Sequence, residues 1–211
     1  AAAAELERTA AAGFRGALVY SNVAGHPLDE PRFRVVFDAA GELGVPIFVH
    51  PTYPLTASTL DAYALIPTLG FLVDTTTAAL RVVLDGLYER HPGFKLVLAH
   101  AGSLLPQIAG RVDYEAERAP GGVGACTTKP SEQLALIYTD TVCVSPAALR
   151  SALDLVGPDR MMFGSDYPFW DPRRTLATLA DTDLEPAVAA GVHSRNARSV
   201  FGLDTPVAAA P

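Results

Sequence analysis

The chain has 211 residues, 49% of them apolar and 18% charged, with a formal net charge of −7. That length supports one sizeable core, and the negative balance argues against a nucleic-acid backbone as the main partner. No run of 18 apolar residues occurs, so no membrane span is expected.

Two cysteines, Cys126 and Cys143, have neither metal-type spacing nor a disulfide framework. They read as small apolar fillers in a protein of the reducing cytoplasm. The opening AAAAELERTAAAGF carries Glu5, Glu7 and Arg8 and lacks a basic stretch followed by an apolar one. It therefore reads as part of a helix rather than a signal peptide.

Gly16–Tyr20 (GALVY) is the first strand-like run. Phe33, Val36, Phe37, Ala40 and Leu43 then share one helical face, stopped by Gly44. A second strand, Pro46–Val49 (PIFV), ends at His50, and the long Pro51–Leu72 insert after it reads as a lid or an extra helix. Leu80, Val83, Leu84 and Leu87 repeat the helical spacing, with Thr75–Thr77 as N-cap candidates.

The third strand, Lys95–Ala99 (KLVLA), ends at His100. Arg118–Pro130 (RAPGGVGACTTKP) is a loop rich in Gly and Pro. A fourth strand is expected over Ile137–Val144 (IYTDTVCV). The next helix has Ser145 as N-cap, Pro146 at its first position, Leu149, Ala152, Leu153 and Val156 on its apolar face, and Gly157 as its stop. A fifth strand, Met161–Phe163, leads to Asp166. Asp171-Pro172 opens another helix, and the last pattern ends at Phe201 with Gly202 as C-cap.

Strand and helix alternate, and the strands are continuous apolar runs rather than alternating ones. That pattern implies right-handed βαβ units and a parallel sheet. Neither GxGxxG nor a P-loop follows any strand, which disfavours a nucleotide-binding doubly wound fold. No internal repeat and no interdomain linker is visible, so residues 1–211 read as a single domain.

Three strands end in a residue able to bind metal or move a proton: His50 in IFVHP, His100 in LVLAHAG and Asp166 in MMFGSDYP. In a parallel barrel such ends point to one rim, so residues distant in sequence converge. Imidazoles with a carboxylate make a borderline-hard N/O site suited to Zn, Mn or another divalent ion.

IFVHP, HPGFKLVLAHAGS and MMFGSDYPF, closing with Asn196-Ala197 and Phe201-Gly202-Leu203, resemble the amidohydrolase-related, aminocarboxymuconate semialdehyde decarboxylase-like family of metal-dependent enzymes. The likeness runs from Gly13-Phe14 to Leu203. It implies a (β/α)8 TIM barrel, α/β in class, of which this chain carries strands four to eight. By resemblance, His50 and Asp166 are metal ligands. His100 is the catalytic histidine that bonds the metal's water or the substrate, and Asp166 is also catalytic as a proton donor to carbon.

The resemblance further implies a divalent metal, most readily Zn with Mn as the alternative, a small-molecule carboxylate substrate, and a homodimer. The reaction implied is nonoxidative decarboxylation of a small aromatic or unsaturated acid. A hydrolase or lactonase on the same barrel and a non-catalytic degraded barrel are the alternatives.

One departure stands out. The family's first-strand His-x-His (or Glu-x-His) pair is absent, since His26, His91 and His193 are isolated. Strands one to three, about 80–100 residues of such a barrel, are missing too. The expectation is therefore an N-terminally incomplete barrel, metal-poor and inactive by itself, with an open side on the strand that leads to Asp166.

Other residues carry weaker expectations. His26, His91 and His193 read as loop or helix residues with structural roles. Asp140, inside the fourth strand, is read equally as near the site or as a buried hydrogen-bonding group. Tyr53, Tyr167 and Trp170 lie on rim loops where aromatics often only pack. Arg111 and Arg118 read as solvated helix residues.

Overall fold

In the computed structural model, residues 1–119, 121 and 124–204 are described. The chain runs α1 (Ala2–Ala11), β1 (Ala17–Tyr20), the short strands β2 (Asn22–Val23) and β3 (His26–Pro27), α2 (Pro31–Leu43) and β4 (Ile47–His50). A π-turn, Ile66–Gly70, leads into α3 (Phe71–Leu84), followed by α4 (Leu87–Arg90), β5 (Leu96–Leu98), α5 (Leu105–Arg118), α6 (Pro130–Leu134) and β6 (Tyr138–Asp140). Then come α7 (Pro146–Val156), β7 (Met161–Met162), α8 (Pro172–Asp181), α9 (Pro186–Ala190), a second π-turn (Gly191–Arg195) and α10 (Asn196–Val200).

Five strands form one parallel sheet in the order β1-β4-β5-β6-β7, and β2 and β3 make a separate antiparallel hairpin. Each crossover between the parallel strands carries helix, as the alternating pattern requires. The sheet is a partial barrel: among the described residues β7 pairs only with β6, so the strand leading to Asp166 has the expected open side.

The two faces differ. On β4, Ile47 and Val49 are buried beneath the helices with Val83, Leu87, Leu96 and Leu98. Phe48 and His50 point to the concave face and are only half-buried. In register with them on β1, Leu18 and Tyr20 are 57% and 56% exposed. A continuous apolar run thus predicts burial on both faces, but the concave face is partly open.

Caps explain several boundaries. Ser145 Oγ accepts from Ala148 N (3.3 Å) at the start of α7, and Asp171 accepts from Arg173 N (3.0 Å) at the start of α8. Gly44 ends α2 at φ 65°, a left-handed conformation that costs a glycine little.

Two expectations change. Thr75–Thr77 do not cap a helix: they lie inside α3, which begins at Phe71. Thr75 and Thr77 turn their hydroxyls back onto Phe71 O (2.6 Å) and Val73 O (2.8 Å), while Thr76 Oγ1 accepts from Leu104 N (3.0 Å). The fourth strand is shorter than Ile137–Val144, because the Asp140 carboxylate takes Val142 N (2.9 Å) out of the ladder.

By length and composition alone, Ile66–Leu84 would also serve to cross a membrane. Here its Ala78, Ala79, Val82 and Val83 are buried in the core. In the Gly/Pro-rich stretch, residues 120, 122 and 123 lie outside the described residues. Its later part is held by Glu89, which accepts from Thr127 N (2.7 Å) and Gln133 Nε2 (2.6 Å). Cys126 is buried and Cys143 half-buried, both as free thiols.

Candidate active site

His50 closes β4, His100 stands two residues past β5, and Asp166 stands four past β7. The parallel order delivers all three to one rim, as expected of barrel strand ends. His50 Nε2 lies 3.2 Å from Asp166 Oδ1, His100 Nε2 lies 3.7 Å from Asp166 Oδ2, and the two imidazole centroids are 5.6 Å apart. One donor atom from each residue falls within 4.8 Å of the others.

The tautomer of His50 is set by its neighbour. Its Nδ1 lies 3.0 Å from the carbonyl oxygen of Pro51, which only accepts, so Nδ1 carries the proton. Nε2 then presents a lone pair to the Asp166 carboxylate. Two acceptors this close are stable with a cation or a proton between them, and a backbone-oriented imidazole is how metal-ligating histidines are held. The N, N, O donor set fits a divalent ion on chemistry as well as on spacing.

The backbone at the site is unusual. His100, Ala101, Gly102 and Ser103 all have left-handed φ values (62°, 51°, 73° and 55°), and Asp166 has φ 56°. Each such non-glycine residue costs about 1–2 kcal/mol, so surrounding contacts must hold it. The turn closes with Ser103 N to His100 O (2.8 Å), and Asp140 Oδ1 accepts from Ala101 N (3.0 Å). Burial pushes the Asp140 carboxyl up, opposed by the His100 charge and by the backbone N–H groups it binds. Both sequence readings of Asp140 therefore hold at once: it is buried and hydrogen-bonded, and it lies beside the site.

Thr141 Oγ1 donates to Gly164 O (3.1 Å) and accepts from Gly164 N (3.2 Å), tying the approach to Asp166 onto the end of β6. A Cβ on Gly164 would meet Asp140 Cβ at 2.9 Å. Gly164→Ala is thus expected to lower stability by about 1–3 kcal/mol through overpacking. Thermal or urea denaturation reads this directly, and an unchanged midpoint would contradict the packing argument.

A cavity of about 980 Å3 opens at the three residues. Ile66, Phe71, Leu72, Val142 and Val144 form much of its apolar wall, and Tyr53, Phe169 and Trp170 bring aromatic rings. Among the described residues lining it there is no Lys or Arg. Tyr53 and Trp170 therefore join the site, whereas Tyr167 is 75% exposed and lies outside the cavity lining. Cys143 also lines the wall, its thiol pushed up by burial.

The other candidates lie elsewhere. His26 bonds Glu30 (2.9 Å), His91 bonds Asp38 (2.9 Å), and the His193 ring packs on Phe163. Arg118 lies over Tyr114 on exposed helix surface, and neither it nor Arg111 lines the cavity. Asn196, part of the C-terminal motif, is structural: its amide donates to Pro158 O and Met161 O (2.8 Å each), anchoring β7. Asp74 was invisible in sequence, an acid inside an apolar helix, yet it is buried at the exits of β1 and β4.

Known proteins resemble this chain in sequence and in fold. 6-Methylsalicylic acid decarboxylase from Penicillium expansum is 29% identical over 70% of this chain, and the chain covers 45% of that enzyme's length. The structure of 5-carboxyvanillate decarboxylase from Sphingomonas paucimobilis aligns with a TM-score of 0.87 at 30% identity, covering 95% of this chain and 62% of that one. The dihydroxybenzoic acid decarboxylase of Polaromonas sp. JS666, solved with bound manganese and the inhibitor 2-nitroresorcinol, gives 0.86 at 28% identity, over 97% of this chain and 66% of that one. The amidohydrolase family profile matches residues 1–203, and the chain belongs to that family.

Proposed function

We propose that this chain belongs to a metal-dependent nonoxidative decarboxylase of a small aromatic or unsaturated carboxylic acid. The observation that carries the reading is the convergence of His50, His100 and Asp166 at the mouth of an apolar cavity. The relatives named above act on aromatic acids, and one was solved with manganese. His50 Nε2 and the Asp166 carboxylate would hold the ion. Zn is our first assignment for its N/O preference, with Mn as the alternative.

When bound, the ion would neutralise charge on the substrate carboxylate or a neighbouring hydroxyl, a role that no Lys or Arg lining the cavity fills. Asp166 then delivers a proton to the ring carbon that bears the carboxylate. His100, 3.7 Å away, passes to Asp166 a proton that it takes from solvent, returning to the neutral imidazole. The bond to the carboxylate breaks, its electrons return to the ring, and carbon dioxide leaves with the proton in its place. Apolar walls exclude water and seat the ring.

This chain supplies His50 and Asp166 but no first-strand ligand pair, so by itself it should hold metal weakly and turn over poorly. Metal analysis together with carbon dioxide release, measured over a panel of hydroxybenzoates and lactones on protein with and without a first-strand His-x-His, tests the reading. Metal uptake and carbon dioxide release only with the complete ligand set are expected. Amide or lactone opening without carbon dioxide would make it a hydrolase, and absence of metal would sink the enzyme reading. A cytoplasmic homodimer is the setting we assign, and sedimentation velocity reads the assembly.

A further inference from the structure

Asp74 is 6% exposed on α3, and nothing in the proposed chemistry uses it. Its Oδ2 accepts from Ser21 Oγ (2.5 Å) and Asn22 Nδ2 (2.9 Å), and its Oδ1 accepts from Leu55 N (3.1 Å). The donors themselves reach further. Ser21 Oγ accepts from Thr52 N (3.3 Å), Asn22 Nδ2 donates to Tyr53 O (3.1 Å), and Asn22 Oδ1 accepts from Gly25 N (3.0 Å).

One buried carboxylate therefore joins three segments: the β1 exit with its hairpin, the rim segment that follows His50, and α3. Those segments supply one side of the cavity, through Tyr20, Thr52, Tyr53 and Phe71. A carboxylate is suited to this role because it only accepts, and three donors converge on it. Thr52–Leu55 has no regular structure of its own, so few other bonds hold it in place.

We propose that Asp74 is a positioning residue that fixes the aromatic wall of the cavity, and so sets substrate affinity rather than the chemical step. This rests on the decarboxylase reading for its kinetic consequence, but not for its structural one. In Asp74→Asn one oxygen becomes a donor, so at least one of the three N–H and O–H groups loses its acceptor. Ser21→Ala removes one arm of the same hub and leaves the helix intact, which guards against a variant that does not fold.

Hydrogen exchange on the full chain should show the Thr52 and Leu55 amides losing protection by about tenfold or more in Asp74→Asn, and the Thr52 amide in Ser21→Ala. Protection in β5 should be unchanged. In the complete enzyme, KM should rise by about tenfold while kcat stays within about threefold. Unchanged protection at these amides in either variant overturns the proposal, as does a fall in kcat with KM unaltered. If the parent protein releases no carbon dioxide, the decarboxylase reading fails and the amide protection alone decides the role of Asp74.

Discussion

Asp166→Asn is expected to lower kcat by about a thousandfold or more, close to 4 kcal/mol of lost transition-state stabilisation. Asparagine keeps the size and one oxygen but has neither the charge that would hold a cation nor a proton to give to carbon. Its amide would also donate to the His50 Nε2 lone pair, which now faces the carboxylate at 3.2 Å. The demand for a cation between the two groups would vanish, so metal content should fall with activity. Stability should hold or rise, because an acceptor–acceptor contact becomes a hydrogen bond. Parallel measurement of kcat, metal stoichiometry and thermal midpoint checks this. An active Asp166→Asn protein would remove Asp166 from the chemistry.

His100→Asn is expected to cost about 10²–10⁴ in kcat with little change in KM, the usual range for losing an acid–base partner. Asparagine suits this test because it tolerates the left-handed backbone at φ 62° better than most residues. The turn held by Asp140 should therefore survive, and the loss can be assigned to the imidazole. His100→Ala places an unfavourable residue in the same conformation, so its additional stability loss gauges the strain that the turn carries. Steady-state kinetics with circular dichroism separates the two effects. Near-native kcat in a folded His100→Asn protein would mean that Asp166 exchanges its proton with solvent unaided.

Much of this was legible in the chain itself. Each apolar run ending in His50, His100 or Asp166 is local, and its meaning comes from one topological rule, that parallel strands present their ends on the same rim. The start and stop of α7 were equally local, because Ser145, Pro146 and Gly157 act on their own backbone. The open side of β7 followed from counting strands against the resembled barrel.

Other features depended on contacts that sequence spacing does not encode. Thr75–Thr77 have cap chemistry, yet burial of α3 and the Leu104 amide used those hydroxyls differently. The left-handed run from His100 to Ser103 contains one glycine as its only local sign; Asp140, 40 residues on from His100, helps to hold it. Asp74 carries no local sign of a role, and it becomes a hub only when β1 and the segment after His50 close around it.

The amino-acid sequence by itself determined the five strands of the parallel sheet and the identity of the three rim residues, because propensity, capping and strand-end chemistry act within a few residues. The tertiary structure alone decided how those residues meet. It set which nitrogen of His50 faces Asp166, which rings line the cavity, and which buried carboxylate holds its wall. Those outcomes rest on packing and polar contacts between segments up to 116 residues apart, where local preference has no influence.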